Sequence, residues 1–517
     1  MAIRSPGALT MAAALLVLLP QKAIGQEDSV SCFYASQLRV NKTTYDAFRE
    51  EASHCSYFEG DIWFDHVPEI NLGGIETLEG YIIPQYWSTE APELPEGVFN
   101  IFGDTVKTIQ GISCYAFSEP TKVNISLPNV TYVETITMQS HVASFDLDFA
   151  DDVEITVDHA VIQYNRELPT IDLAPAAHMD WILIKFNTMT EGNDTKPEDA
   201  GAIRSNSLQS VDEYIYVGAN EDLREISFPV LETAGDIRVR RNHPAAPPTY
   251  DFPSLKSTRA MSFWEINATV SMPELEEIVA ARKYWSTYDR FTFWAGAFFV
   301  NLAELEMPKL KVVRNPDDSE PTDDQAELSF WKMMDGFTVL DLPLLASVQG
   351  VLTIDSNRGL KDVNIDKLEQ VGGLVVTGNA IGLFVVPELT TVDGDVHIEG
   401  NYLRRVTAPK LTTVGGDLII KGSGNLSEIE IPSLETVTGS IILRAQAGDR
   451  FSCTDFKKRR DDIWDMASSF ECSETNEDGE DGEDGEDNSA VVLGIRDIRS
   501  RIRGVWVVAC SICWLIL

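Results

Sequence analysis

Leu345, Leu368, Leu389, Leu411 and Leu434 follow one another at intervals of 23, 21, 22 and 23 residues. Each is followed three residues later by a valine: Val348, Val371, Val392, Val414 and Val437. Pro387-Glu388-Leu389, Pro409-Lys410-Leu411 and Pro432-Ser433-Leu434 open successive units. A glycine-bearing corner comes next, then a short alternating strand such as Val396-His397-Ile398 or Leu418-Ile419-Ile420. Asn357, Asn379 and Asn401 close three of these strands. A period of roughly 20–29 residues signals a leucine-rich-repeat-like solenoid. No single turn of that length buries its apolar face alone, so the turns must stack into one elongated body. Asparagines at one corner of every turn can hydrogen-bond up the stack, as amide ladders do in other stacked sheets.

The pattern runs upstream with more noise. Pro229-Val230-Leu231, Pro253-Ser254-Leu255, Pro273-Glu274-Leu275 and Pro308-Lys309-Leu310 mark further turns, and fainter ones reach back to Gly60-Asp61-Ile62. Asn220, Asn242 and Asn267 fall at the expected ladder corner. The interval widens to 35 between Leu275 and Leu310 and again before Leu345, where Asn315 to Pro321 reads as a surface insertion. End turns of a solenoid expose apolar edges and need caps. Thr44 to Ser53 predicts a short helix at the N-terminal end. Thr454 predicts the N-cap of a helix over Asp455 to Ser468, with Phe456, Ile463 and Trp464 available for packing.

Both termini lie outside this repeat. Arg4, the apolar run Met11 to Leu19 and the small residues Ala23-Ile24-Gly25 read as a secretory signal over residues 1–25. The chain closes on an apolar run, Val505 to Leu517, behind a polar spacer and the small triplet Asn488-Ser489-Ala490. That order predicts a glycosylphosphatidylinositol (GPI) attachment signal over 489–517, with Asn488 as the attachment site and a plasma-membrane anchor. Between them stand a folded ectodomain, 26–473, and a Glu-Asp-Gly tract, 474–488. The tract lacks apolar residues and predicts a disordered tether, without the spacing of a calcium loop.

Compartment follows from cysteines and sequons. Cys510 and Cys513 lie in the terminal tail; five others remain. Cys32 with Cys55 and Cys453 with Cys472 are local pairs, predicted to staple caps over 32–55 and 453–472. Cys114 is left over as a core thiol. Six sequons, Asn41, Asn124, Asn129, Asn193, Asn267 and Asn425, support an N-glycosylated extracellular protein. Asn267 is claimed twice, as a sequon and as a ladder position.

Charge narrows the partners. With 41 Lys+Arg against 81 Asp+Glu the net charge is −40. A nucleic-acid binder needs a basic face, and this chain has none in its composition. No metal-ligand spacing, phosphate loop or dinucleotide fingerprint is present, and no cofactor is expected. Two acidic clusters, Asp146/Asp148/Asp151/Asp152 and Asp317/Asp318/Asp323/Asp324, are the only candidates for a polysaccharide-cleaving site; solvated surface acid is the simpler reading. His397, in the middle of a strand, is expected to face outward and be solvated.

Phe263-Trp264, Phe293-Trp294 and Phe330-Trp331 are three Phe-Trp pairs in nearby turns. Strand alternation sends one ring of each pair away from the core, which predicts an external aromatic stripe of Trp264, Trp294 and Trp331, joined by Tyr284, Trp285 and Tyr288. Rings so placed suit sugar faces or a protein partner.

Together these features resemble the fungal GPI-anchored cell-wall organisation and sporulation proteins with receptor-L-domain-like repeats. The resemblance rests on Cys32…Cys55 leading into Gly60-Asp61-Ile62, on the Pro-x-Leu-x-x-Val-x-Gly repeats, and on Phe451-Ser452-Cys453…Lys457-Lys458…Ser469-Phe470-Glu471-Cys472. It implies a mainly β fold, an elongated parallel β-helix with disulfide-stapled helical caps. It also implies a non-catalytic surface glycoprotein needed for wall integrity, partnered by wall polysaccharide or by a wall or membrane protein. Where that family has a Ser/Thr-rich stalk this chain has an acidic tract, which favours retention at the membrane over cross-linking into the wall. A β-helix carbohydrate-active enzyme and a receptor-like ectodomain are the alternatives.

Overall fold

The computed structural model describes residues 31–33, 37–85, 97–115, 117, 119–149, 154–189, 201–244, 246–264, 267–280, 296–315, 326–422, 425–446, 450–463 and 468–475. They form a mainly β parallel solenoid of about 15 turns, contained in a compact unit that ends at Glu474. The expectations for the leader, the acidic tract beyond Thr475, Asn488 and the terminal tail lie outside the described residues. Among the described residues no helix is long and apolar enough to cross a membrane.

One turn is built as follows. A short strand segment carries the repeat valine, and Val348, Val371, Val392, Val414 and Val437 stack in register with almost no exposure. The chain then bends and continues as a second, outward-and-inward alternating segment of the same 25-stranded sheet. A corner follows, and then a three-residue strand in a second wall. That wall is divided into sheets of four, six, two and three strands. A tight turn leads back to the first segment. In Phe228-Pro229-Val230-Leu231 the Leu231 N–H donates to the Phe228 carbonyl at 3.3 Å, with proline at the second position, where its fixed φ fits a β-turn. The Pro-x-Leu signature is this turn. The leucine at this place points inward in every such turn: Leu231, Leu255, Leu275, Leu310, Leu345, Leu389, Leu411 and Leu434, and Leu368 where Asp366 replaces the proline, are all buried. Each such side chain contributes on the order of 1.5–3 kcal/mol relative to exposure.

The corner after the long segment has a second repeated feature. Ser140, Tyr164, Phe186, Ala219 and Arg241 occupy equivalent places, each N–H bonded to the last residue of the next strand. All have positive φ, between 54° and 59°. In later turns Gly378 and Gly400 hold the same place at +66° and +67°, where glycine meets no steric penalty. Next in the chain comes the asparagine ladder. Asn165, Asn187, Asn220 and Asn242 form one run and Asn357, Asn379 and Asn401 another, all buried. Within each run, one amide oxygen accepts from both the backbone N–H and the side-chain amide of the asparagine in the turn before it, at 2.9–3.1 Å.

Asn267 is not in the ladder. Its φ is +61° and its N–H bonds to the Asn301 carbonyl, so it sits at the left-handed corner position, half-exposed. The buried places that follow belong to Ala268, Leu302 and Met333. The ladder is therefore split, and Met333 marks its restart by donating its backbone N–H to Asn357 at 2.8 Å. Asn267 has no need to be both buried and glycosylated.

Both disulfides form as expected, Cys32–Cys55 and Cys453–Cys472, with Cα separations of 5.8 and 5.7 Å. The first ties the opening strand to the end of the helix Tyr45–Ala52, whose Phe48 and Ala52 pack inward. The second ties the helix Cys453–Ile463 to the last strand, Ser469–Thr475. That helix starts earlier than the Thr454 cap predicted: the Phe456 N–H donates to the Ser452 carbonyl, so the residue before Cys453 closes the first turn. Phe456 packs on Phe451 at 5.7 Å; Trp464 lies outside the described residues. Cys114 is a fully buried free thiol, and burial pushes its pKa up to about 12.

Candidate functional site: the outward face of the long sheet

The sheet register decides which rings share a face. Phe263, Phe299 and Phe330 are paired in sequence across three strands and stack inside the core, 6.0 and 5.4 Å apart. Their next neighbours, Trp264, Val300 and Trp331, form one outward column. Trp264 is 43% exposed and Trp331 is half-buried, with the Lys332 ammonium 4.3 Å above its ring. The inside–outside split of the Phe-Trp pairs is thus as expected at 263/264 and 330/331. The middle rung is different. The strand between them is Gly296–Val300, so Phe299 and Val300 take the places assigned to Phe293 and Trp294. Phe293, Trp294, Tyr284, Trp285 and Tyr288 lie outside the described residues.

Upstream, the same face carries rings that the Phe-Trp pattern does not reveal. His159, Trp181 and Tyr214 are in register on three consecutive strands, Ile155–Gln163, Ala176–Lys185 and Ser210–Gly218. Their rings stack at 4.6 and 5.5 Å with interplanar angles of 24° and 13°. Tyr216 lies in the adjacent outward column, and Arg240 sits 5.1 Å over its ring. The signal was in the alternation: Ile182 and Ile184 point inward, so Trp181 and Leu183 must point outward, and Ile215 and Val217 place Tyr214 and Tyr216 likewise.

Beside this stack, at the bend of the sheet, run Glu134, Asp158, Asp180 and Asp212. Tyr132 donates its hydroxyl to Asp158, which holds the phenol well above its ordinary pKa. Asp180 lies 4.0 Å from His159 and is raised by partial desolvation, with Asp158 and Asp212 adding like charge and His159 opposing. Thr135 is 3.3 Å from the other ring nitrogen of His159. Further along, Arg238 pairs with Asp236, and desolvation lowers its pKa to about 10. The Arg259 guanidinium reaches back to the backbone carbonyls of Asp212 and Glu213. The face passes from acid and aromatic to arginine and aromatic along its length.

The acidic clusters chosen from sequence are elsewhere. Asp146 and Asp148 belong to the strand Val142–Phe149 of the second wall; Asp146 is in register with Asn124, and Asp148 accepts from the Ser126 hydroxyl at 2.6 Å. Asp151, Asp152, Asp317, Asp318, Asp323 and Asp324 lie outside the described residues. Among the described residues no group of three or more His, Cys, Asp or Glu is placed to hold a metal ion. His397 does face outward, but it is not solvated: it is 8% exposed, between Val375 and Ile419, with Nε2 2.7 Å from Glu399. The glycosylation candidates avoid the aromatic columns. Asn124 and Asn129 are on or beside the second wall, Asn41 is at the N-terminal cap, Asn267 is at a corner and Asn425 is exposed near the C-terminal end. Asn193 lies outside the described residues.

The fold and this face define an elongated β-solenoid with an aromatic and charged long side. The chain is 30% identical over 125 residues to Sporulation-specific protein 2 of Saccharomyces cerevisiae (strain ATCC 204508 / S288c), which is 23% of this chain and 20% of that protein. The chain thus matches about a fifth of the relative's length. No family model matches.

Proposed function

We propose that this chain is a GPI-anchored extracellular glycoprotein of the receptor-L-domain-like kind that supports cell-wall organisation by holding wall glycan, without enzymatic action. The observation that carries this reading is the outward face of the long sheet, where His159, Trp181 and Tyr214 share one column and Trp264 and Trp331 belong to another. No sequon falls on the described strand positions of that stretch. Aromatic rings bordered by carboxylates and arginines suit pyranose rings, whose faces are apolar and whose edges carry hydroxyls. The two disulfides fit an oxidising compartment, and the similarity to a sporulation-specific protein fits a wall-related role.

The test is a pull-down of the full chain on insoluble β-glucan and on chitin, beside a variant carrying Trp264→Ala and Trp331→Ala. Depletion of the wild type, lost in a variant with unchanged circular dichroism, is expected. If neither polymer depletes the wild type, the glycan reading fails for these polymers and a protein partner takes its place. Reducing ends released during the incubation would instead favour cleavage at the carboxylates beside Trp181, where desolvation and neighbouring like charge raise Asp180.

A further inference from the structure

Tyr164 and Phe186 form a two-ring stack at the left-handed corner, separate from the His159–Trp181–Tyr214 column. Their centroids are 5.1 Å apart, the planes differ by 9°, and each residue is 48% exposed. Because the planes are parallel and the residues sit on consecutive turns, the ring faces point along the solenoid axis. Phe186 is covered on one side by Tyr164 and approached by the Lys185 ammonium at 5.7 Å. The corner residue on the other side of Tyr164 is Ser140, too small to cover a ring. The outer face of Tyr164 is therefore uncapped by its own column.

A cavity of about 200 Å³ opens at this corner, lined by Glu119, Pro120, His141, Arg166 and Glu167. Arg166 and Glu167 follow Tyr164 by two and three residues, and His141 follows Ser140. His141 is itself at φ +70°, with Nδ1 3.0 Å from the Phe117 carbonyl, which fixes its ring at the cavity wall. Among the described residues no ion pair engages Arg166, Glu119 or Glu167, so these side chains keep hydrogen-bonding capacity for a ligand. The lining mixes two carboxylates with one guanidinium and one imidazole. Such a set does not favour a phosphate or a polyanion. It suits vicinal hydroxyls, which both donate to carboxylates and accept from a guanidinium.

We propose that this corner is a subsite for one neutral hexopyranose unit of a glycan, packed on the open face of Tyr164 with its hydroxyls held by Arg166, Glu119 and Glu167. It rests on the glycan-binding reading above and adds a second contact point, around the edge from Trp264 and Trp331. Aromatic residues stand at this corner on two consecutive turns, where other turns carry Ser140, Ala219, Arg241, Asn267, Asn301, Lys332, Ser356, Gly378 or Gly400, and this supports a use for the rings beyond shaping the corner.

The experiment measures binding of β-1,3-glucan, chitin and mannan hexasaccharides to the full chain by calorimetry, with Tyr164→Ser, Arg166→Ala and the Trp264→Ala/Trp331→Ala variant alongside. Serine is native to this corner at positions 140 and 356, so Tyr164→Ser is expected to fold with an unchanged or higher melting temperature. For the sugar that binds the wild type, Tyr164→Ser and Arg166→Ala should each weaken affinity by about tenfold. Wild-type affinity in both variants overturns the subsite while leaving the glycan reading intact. If the wild type binds none of the three sugars and no insoluble polymer, the glycan reading itself falls, and the subsite with it.

Discussion

Replacing Asn379 by alanine tests whether the corner amides hold the turns together or merely fill space. Asn379 is 2% exposed. Its side-chain nitrogen donates to the Ile354 carbonyl at 2.8 Å and to Asn401 Oδ1 at 3.0 Å. Its oxygen accepts from the Asn357 backbone N–H at 3.0 Å and from Asn357 Nδ2 at 2.9 Å. Two of the four partners keep another bond: Asn357 Nδ2 still reaches the Phe330 carbonyl, and Asn401 Oδ1 still accepts the Asn379 backbone N–H. The Asn357 N–H loses its partner in a dry corner, whereas the Ile354 carbonyl stays within the paired strand Ser347–Asp355. Orphaning that one buried donor costs about 1–3 kcal/mol, so Asn379→Ala should destabilise by about 1–3 kcal/mol. Asn364→Ala is the control, because its amide bonds an exposed Asp341 carboxylate; there the loss should stay below about 1 kcal/mol. Guanidinium denaturation followed by tryptophan fluorescence gives the stabilities. Hydrogen exchange should show protection falling first in the turns of Asn357 and Asn401, since a stacked array loosens next to its weakest interface. An Asn379→Ala protein within about 1 kcal/mol of wild type, with protection intact on both sides, would refute the reasoning.

Glu399 carries a pH signature. Hydrogen bonding to His397 holds its carboxyl below the ordinary value, with Lys421 3.6 Å away adding to it and partial burial opposing. A depressed folded pKa stabilises above the unfolded value and is lost as pH falls through the folded one. Glu399→Gln should therefore lower the melting temperature by about 1–2 °C at pH 7, and the gap should close below pH 4; a gap that is constant with pH would show that packing, not charge, is what was removed. The anchor is checked on membranes: phosphatidylinositol-specific phospholipase C should release the chain into the supernatant, and Asn488→Gln combined with removal of residues 489–517 should yield a secreted form. A chain that stays on membranes after its glycolipid is cleaved is not held by a GPI lipid.

The leucine and valine columns, the amide ladder and both disulfides were legible in the sequence because each depends on spacing alone, and spacing is what a stack repeats. Two readings failed where an insertion changed the count. After Trp264 the chain has two extra residues before its left-handed corner, so Asn267 falls one place short of the ladder and Ala268 enters the core instead. In the next turn the strand starts at Gly296, so the middle rung is Phe299-Val300 rather than Phe293-Trp294. His397 failed for another reason: its direction followed from alternation, but its burial depends on Val375 and Ile419 in neighbouring turns, which lie 22 residues away on either side. Outward positions on a parallel sheet are shielded by their own column, and a single strand does not reveal that.

The same column logic explains why the aromatic face was only half visible and what it can do. Along one strand, Trp181 or Tyr214 is a single outward ring; only the register turns them into a stack with His159. Stacking has a cost for recognition, since rings packed face to face offer edges to solvent. Faces become available where a column ends or a small residue interrupts it, as Ser140 does above Tyr164. Strands in such a sheet repeat about every 4.8 Å, so a linear polymer lying along the solenoid axis would meet several weak contacts in succession. Linked weak contacts act through effective concentration, and a chain engaging several at once leaves slowly although each one alone is feeble. A stack of in-register turns presents its contacts at a spacing suited to that kind of partner. On the proposed reading, a polymeric glycan should therefore bind more tightly than its own short oligosaccharides.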